Sequence, residues 1–94
     1  MKDYKFYEYT IPGYMLESLV AYINTGRPAG GFLTAVLENN LMKAMSHADI
    51  RNRAALPAYV GYLYNEAPGG CHGSPKLVKA WMKAGGLEGL AKAA

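Results

Sequence analysis

Two glycine-rich segments of the chain each run into a predicted helix, and this arrangement can bind an anion. The first segment contains Arg27, Gly30 and Gly31, and the second ends in Ser74, with Lys76 in the first turn behind it. A helix N-terminus presents unpaired N–H groups and partial positive charge, and glycine lets the backbone approach an anion closely. We therefore predict that these five residues contact an anionic ligand.

Plain turns between helices are the alternative interpretation of these segments. Neither segment matches the GxxxxGKS or GxxxxGKT pattern, or a GxGxxG that follows a strand. Nucleoside triphosphate hydrolysis and dinucleotide cofactors are therefore not indicated.

Tyrosine is unusually frequent, since it supplies eight of the eleven aromatic residues. A phenol ring can stack on a base while its hydroxyl meets a phosphate or a ribose, and arginine adds a charged plane. Tyr14, Tyr62 and Tyr64 are the candidate ring contacts. Protein interfaces are also rich in tyrosine, so a subunit interface is the alternative explanation, and a pocket at a subunit boundary would combine the two.

Residues typical of catalysis are sparse. The two histidines are His47 and His72, and the one cysteine, Cys71, stands beside His72 without a CxxC or HxxxH companion. A metal site needs three or four ligands, and neighbouring side chains rarely converge as a nucleophile and its base. We therefore predict no catalytic residue, no metal and no cofactor, and we expect Cys71 to be buried and structural.

Apolar residues at helical spacing indicate the elements that position these groups. The predicted helices lie near 13–25, 29–47, 50–65 and 75–84. They indicate an all-α fold, a compact bundle of about four helices. We expect one domain over 1–94, with an extended arm over 1–12, a helical core over 13–84 and a short tail over 85–94.

Capping residues and breakers refine these limits. Gly26 is suited to a left-handed C-terminal position, Asp49 to an N-cap, and Ser74 to the cap of a helix with Pro75 in its first turn. Pro57 either kinks the third helix or begins a new one. Asn40 falls inside an apolar stripe, so its amide requires hydrogen-bond partners.

The N-terminal segment 2–11 combines β-propensity with partial alternation, but no later segment reads as a partner strand. We expect either an irregular arm packed on the helices or a strand completed by a second subunit.

Composition and charge exclude several classes of protein. Apolar residues make up 51% and charged residues 18%, which argues against disorder, and no apolar run is long enough for a membrane span. The first residues lack the apolar core of a secretory signal. The net charge of +3 arises entirely within 48–94 and is too small for duplex DNA binding.

The segments GRPAGGFLTAVLENNL and LYNEAP followed by a C.GS pattern resemble a small family of proteins encoded by tailed phages and prophages, to which no activity is assigned. The resemblance covers roughly 11–82. The chain departs from the family at His72, where an aromatic residue is expected, so His72 is not assigned a shared role.

The resemblance implies a protein in the cytoplasm of an infected bacterium. Together with the glycine segments, the tyrosines and Arg27, it leads us to expect a non-catalytic binding protein, a homo-oligomer that sequesters a nucleotide-type immune signal such as a cyclic nucleotide. One alternative is a small regulator that inhibits a host or defence protein through an exposed tyrosine and methionine surface. Another is single-stranded nucleic acid binding along Lys76, Lys79 and Lys83.

Overall fold

Short helices make up most of the chain, and one β-hairpin precedes them. The computed structural model describes residues 1–93, and no helix in that range is long and apolar enough to span a bilayer. The strands are β1 (Tyr4–Phe6) and β2 (Tyr9–Ile11), and the helices are α1 (Gly13–Thr25), α2 (Gly31–Leu37), α3 (Leu41–His47), α4 (Ile50–Ala54), α5 (Leu56–Asn65), α6 (Pro75–Ala84) and α7 (Gly86–Ala93). The predicted helical class is confirmed. The expectations of about four helices and of an all-α fold need correction.

The N-terminal arm supplies its own partner strand. β1 and β2 pair antiparallel with Phe6 opposite Tyr9, and Tyr7 turns the chain in the left-handed region with a φ of 55°. Two-residue hairpin turns usually carry Asn-Gly or Asp-Gly, whereas this turn is Tyr7-Glu8, so its sequence gives no turn signal. The arm is therefore neither irregular nor a lone strand.

Helix α1 has the limits that were predicted. Its first N–H, on Gly13, donates a hydrogen bond of 2.7 Å to Oδ1 of Asp3, so the hairpin segment caps the helix. At the other end, Gly26 adopts a φ of 76° and donates its N–H to the Tyr22 carbonyl at 2.8 Å, which confirms its left-handed C-terminal role.

The predicted second helix, near 29–47, is two helices. Asn39 adopts a φ of 63°, which Asn tolerates better than most side chains, and this conformation separates α2 from α3. Asn40 is exposed and caps α3, because its Oδ1 accepts the Lys43 N–H at 3.1 Å. Its amide therefore has a partner, but it does not lie in the core.

The predicted third helix, near 50–65, is also divided. Asp49 caps α4 by accepting the Asn52 N–H at 2.8 Å, and Pro57 lies in the first turn of α5, where its missing N–H has no cost. Ser74 caps α6 as predicted, accepting the Leu77 N–H at 3.1 Å.

The tail folds back as α7. Gly86 at its start adopts a φ of +66°, and a Cβ there would lie 2.5 Å from the Asn24 carbonyl carbon. Glycine is therefore required where α7 meets the end of α1.

Aromatic side chains with polar atoms tie distant segments together in the core. The Tyr22 hydroxyl donates to the Cys71 carbonyl at 2.8 Å, joining α1 to the 3-10 turn at Gly69–Cys71. The Trp81 indole N–H is shared between the carbonyls of Tyr22 at 3.3 Å and Ile23 at 3.1 Å, joining α6 to α1. These bonds satisfy donors that would otherwise be buried without partners.

A second buried tyrosine joins α4 to α5. The Tyr59 hydroxyl donates to Oδ1 of Asn52 at 2.6 Å, and Asn52 itself is buried. The Phe32 ring packs edge-on against Tyr59 with the ring centroids 5.1 Å apart.

We predict that Tyr59→Phe lowers the free energy of unfolding by about 1–3 kcal/mol, because the buried Asn52 oxygen loses its donor. Urea unfolding followed by circular dichroism measures the change. Tyr64→Phe is the matched control, since Tyr64 is 85% exposed, and it should stay within about 0.5 kcal/mol of the parent. Equal effects of the two substitutions would contradict the assigned role of the buried pair.

Candidate functional site

A cleft lies on the exposed side of α1. Tyr14, Glu17, Ser18 and Ala21 line it from the helix, at i, i+3, i+4 and i+7. This spacing places the four side chains on one helix face, away from the buried stripe that includes Leu19. The cleft has a volume of about 370 Å³.

The loop after α1 also lines this cleft, with Arg27 and Pro28. The left-handed turn at Gly26 ends the helix and redirects the chain there, and the Arg27 N–H donates to Oγ1 of Thr25 at 3.3 Å. Pro28 restricts the backbone directly behind Arg27. The local structure therefore holds the Arg27 backbone while the side chain stays exposed.

The α1 cleft combines three kinds of chemistry. The Tyr14 ring, 58% exposed, provides a flat surface for stacking, and the Arg27 guanidinium provides charge and a planar set of donors. The Glu17 carboxylate can accept hydrogen bonds from hydroxyl or amine groups. The Ser18 hydroxyl donates to the Tyr14 carbonyl at 3.4 Å and keeps its oxygen as an acceptor.

Gly30 and Gly31 lie at the start of α2 and do not line the α1 cleft. A Cβ on Gly30 would meet nothing within 4 Å, whereas a Cβ on Gly31 would lie 3.0 Å from Nδ1 of His47. The structure therefore places Gly31 beside the end of α3. Helix α2, which Gly31 begins, has only seven residues.

Ser74 and Lys76 belong to a different part of the surface. The Ser74 oxygen is engaged in capping α6. Lys76 lines a depression of about 530 Å³ together with Lys79, Glu38 and Met82. Arg27 and Lys76 therefore line different depressions of the surface.

The remaining two predicted ring contacts also lie apart from Arg27. Tyr62 is half-buried and packs edge-on against Tyr4 of the hairpin, with ring centroids 5.0 Å apart. Burial, followed by the charge of Glu66, raises the pKa of Tyr62. Tyr64 projects from α5 into solvent. Of the eight predicted ligand residues, the structure brings Tyr14 and Arg27 into one cleft.

Four members of this cleft were missed from the sequence: Glu17, Ser18, Ala21 and Pro28. The signal for the first two was present, because they occupy the polar face of a helix whose apolar face was recognised. Pro28 lines the same cleft because of the loop geometry after Gly26. The spacing of residues in the sequence does not show this geometry.

Cys71 is fully buried, and burial raises the pKa of its thiol to about 11. The thiolate is the reactive form of cysteine, so this group is a poor nucleophile at neutral pH. In the part of the chain that the structure describes, no cluster of three or more His, Cys, Asp or Glu residues could hold a metal ion.

Neither a protein-family model, a curated protein nor a solved structure matches the chain. The assignment of the α1 cleft accordingly depends on its own residues.

The buried thiol should resist chemical labelling. At about pH 8, a disulfide reagent such as DTNB should modify Cys71 slowly in the folded protein and rapidly once denaturant is added, because the folded thiol is both covered and protonated. The absorbance of the released thiolate measures the rate. Equal rates in the two states would show that Cys71 is accessible.

Stability should fall in alkaline solution. The Cys71 thiol keeps its proton to about pH 11 in the folded state but loses it near its ordinary value of 9.0 when unfolded, so its contribution is complete below about pH 9 and disappears as the pH rises further. Burial also raises the pKa values of Tyr22 and Tyr59, which adds to the effect in the same direction. Urea unfolding at about pH 8 and about pH 10 should show a lower free energy at the higher pH, and equal values would contradict this assignment.

Proposed function

We propose that this protein is a non-catalytic binding protein that sequesters a small anionic ligand of nucleotide type in the α1 cleft. The observation that carries the proposal is the shared position of Tyr14 and Arg27, an exposed ring and a guanidinium that line one cleft. A base can stack on the Tyr14 ring, and a phosphate can pair with the Arg27 guanidinium.

The size and charge of the cleft support a small ligand. Its volume of about 370 Å³ falls within the range of about 300–1,000 Å³ that small-molecule sites occupy. Arg27 is the one basic residue that lines it, which suits one or two phosphate groups rather than a polynucleotide backbone. Glu17 adds an acceptor for ribose hydroxyls or base amines and disfavours highly charged ligands.

The resemblance to tailed-phage proteins supplies the setting of the proposal. In the cytoplasm of an infected bacterium, a protein that binds a cyclic nucleotide without converting it lowers the free concentration of an immune signal. Such a protein acts by stoichiometry, so it requires tight binding and no catalytic group.

A second candidate function is a small regulator that binds and inhibits a host or defence protein. Met42 and Ile50, each 83% exposed, favour it. Exposed methionine is adaptable and common on protein-binding surfaces. The two functions differ in what co-purifies with the protein, because sequestration retains a small molecule after denaturing extraction and inhibition retains a polypeptide.

We predict that Arg27→Glu abolishes ligand binding and leaves the thermal midpoint nearly unchanged, because Arg27 is exposed and a carboxylate there repels phosphate. Calorimetric titration with cyclic dinucleotides, cyclic trinucleotides and ADP-ribose derivatives measures binding. Lys43→Glu is the matched control, since it changes the net charge equally at an exposed site away from the cleft. An acidic residue is also favoured there, in the first turn of α3.

Two results would count against the proposal. The absence of heat and of thermal shift with every ligand would overturn sequestration of this ligand class. An equal loss of binding in both charge variants would show that net charge, and not the α1 cleft, governs the interaction.

A further inference from the structure

Glu17 places a carboxylate in a cleft whose proposed ligand is an anion. It is the one acidic residue that lines the α1 cleft, as Arg27 is the one basic residue. A carboxylate repels phosphate, so Glu17 disfavours a phosphate group directly beside it. The part of a nucleotide that suits Glu17 is a part that carries hydrogen-bond donors, because an ionised carboxylate only accepts.

The order of residues along α1 places this carboxylate beside the stacking ring. Tyr14 and Glu17 are neighbours at i and i+3, a spacing that puts Cβ atoms about 5–6 Å apart. The end of the helix at Thr25, where the chain turns toward Arg27, lies about 12 Å further along the helix axis than Glu17. A base that stacks on Tyr14 therefore has its edge near Glu17, while its phosphate extends toward Arg27.

Small side chains follow the ring and the carboxylate on the same face of α1. Ser18 and Ala21 line the cleft there and leave room for a sugar. The Ser18 hydroxyl donates to the Tyr14 carbonyl at 3.4 Å and keeps its oxygen as an acceptor for a sugar hydroxyl. Along the chain, the lining residues thus follow the order of a base, a sugar and a phosphate.

The edges of the bases differ in how many donors they present side by side. The two oxygens of a carboxylate can accept two parallel hydrogen bonds. The Watson–Crick edge of guanine presents two neighbouring donors, N1–H and the 2-amino group. Adenine and cytosine each present one amino donor beside a ring nitrogen that accepts, and uracil presents one N–H between two carbonyl oxygens. Guanine is therefore the base whose edge matches a carboxylate.

We propose that Glu17 selects guanine as the base of the nucleotide in the α1 cleft, an inference that rests on the proposed binding function. The carboxylate accepts the N1–H and the 2-amino group of a guanine that stacks on Tyr14. With adenine, the same carboxylate faces the lone pair of ring N1, so repulsion replaces one of the two hydrogen bonds. Glu17 is thus a specificity-determining residue, whereas Arg27 binds phosphate whichever base is present.

Calorimetric titration with cyclic di-GMP and cyclic di-AMP tests the selection, because these two probes differ only in their bases. We expect the parent protein to bind cyclic di-GMP about tenfold or more tightly, which is the discrimination that a bidentate contact to a base provides. Glu17→Gln should remove or reverse this preference, since an amide has one acceptor and one donor and matches adenine. Glu88→Gln is the matched control, because it makes the same change on α7 and Glu88 does not line the α1 cleft. It should keep the preference of the parent.

A third probe tests the contact without any substitution. Cyclic di-IMP keeps the N1–H of each base and lacks the 2-amino group, so one of the two hydrogen bonds to Glu17 is lost. We expect its affinity for the parent protein to lie between those of the other two probes. An affinity equal to that of cyclic di-GMP would contradict the bidentate contact.

The remaining outcomes separate guanine selection from the proposed function. Equal affinity of the parent for cyclic di-GMP and cyclic di-AMP would overturn guanine selection and leave nucleotide binding in place. An equal loss of both affinities in Glu17→Gln would also overturn it, because the carboxylate would then contact the ribose hydroxyls that both probes share. No binding of either probe would overturn guanine selection together with the sequestration of cyclic dinucleotides.

Discussion

The hydroxyl of Tyr22 and the indole N–H of Trp81 lie inside the protein, where a donor without a partner costs about 1–3 kcal/mol. Their acceptors are backbone carbonyls that belong to other segments, so each bond requires two distant parts of the chain to be in place together. The last turns of α1 thereby become the point at which α6 and the 3-10 turn at Gly69–Cys71 are held. The α1 cleft depends on this arrangement, because it occupies the opposite face of the same helix.

The tyrosine excess has several physical causes rather than one. Tyr22 and Tyr59 are core residues whose hydroxyls join segments, and Tyr62 helps to seat the hairpin on α5. Tyr14 and Tyr64 are exposed on different surfaces. Composition alone cannot separate these groups, because a buried tyrosine with a hydroxyl partner and an exposed one contribute equally to the count.

Local signals predicted the helix ends well and the breaks between helices poorly. The cap at Ser74 and the left-handed Gly26 depend on chemistry within a few residues, so they were recognisable from the sequence. The break at Asn39 depends on a non-glycine residue with positive φ inside a continuous apolar pattern. The hairpin turn likewise depends on a non-glycine residue with positive φ, Tyr7. In the candidate site, the turn at Gly26 brings Arg27 into the cleft that Tyr14 lines. Gly30 and Lys76 lie elsewhere, because each segment packs against a different neighbour.

The cap that Asp3 places on α1 has a practical consequence for purification. A Cβ on Gly13 would collide with the Met1 carbonyl oxygen, so Met1 lies directly against the first residue of α1. The next residue of that helix is Tyr14. An affinity tag fused ahead of Met1 would therefore leave the fold beside the first turn of α1, which also carries Tyr14 of the α1 cleft. Protein from which the tag has been cleaved is the appropriate material for titration.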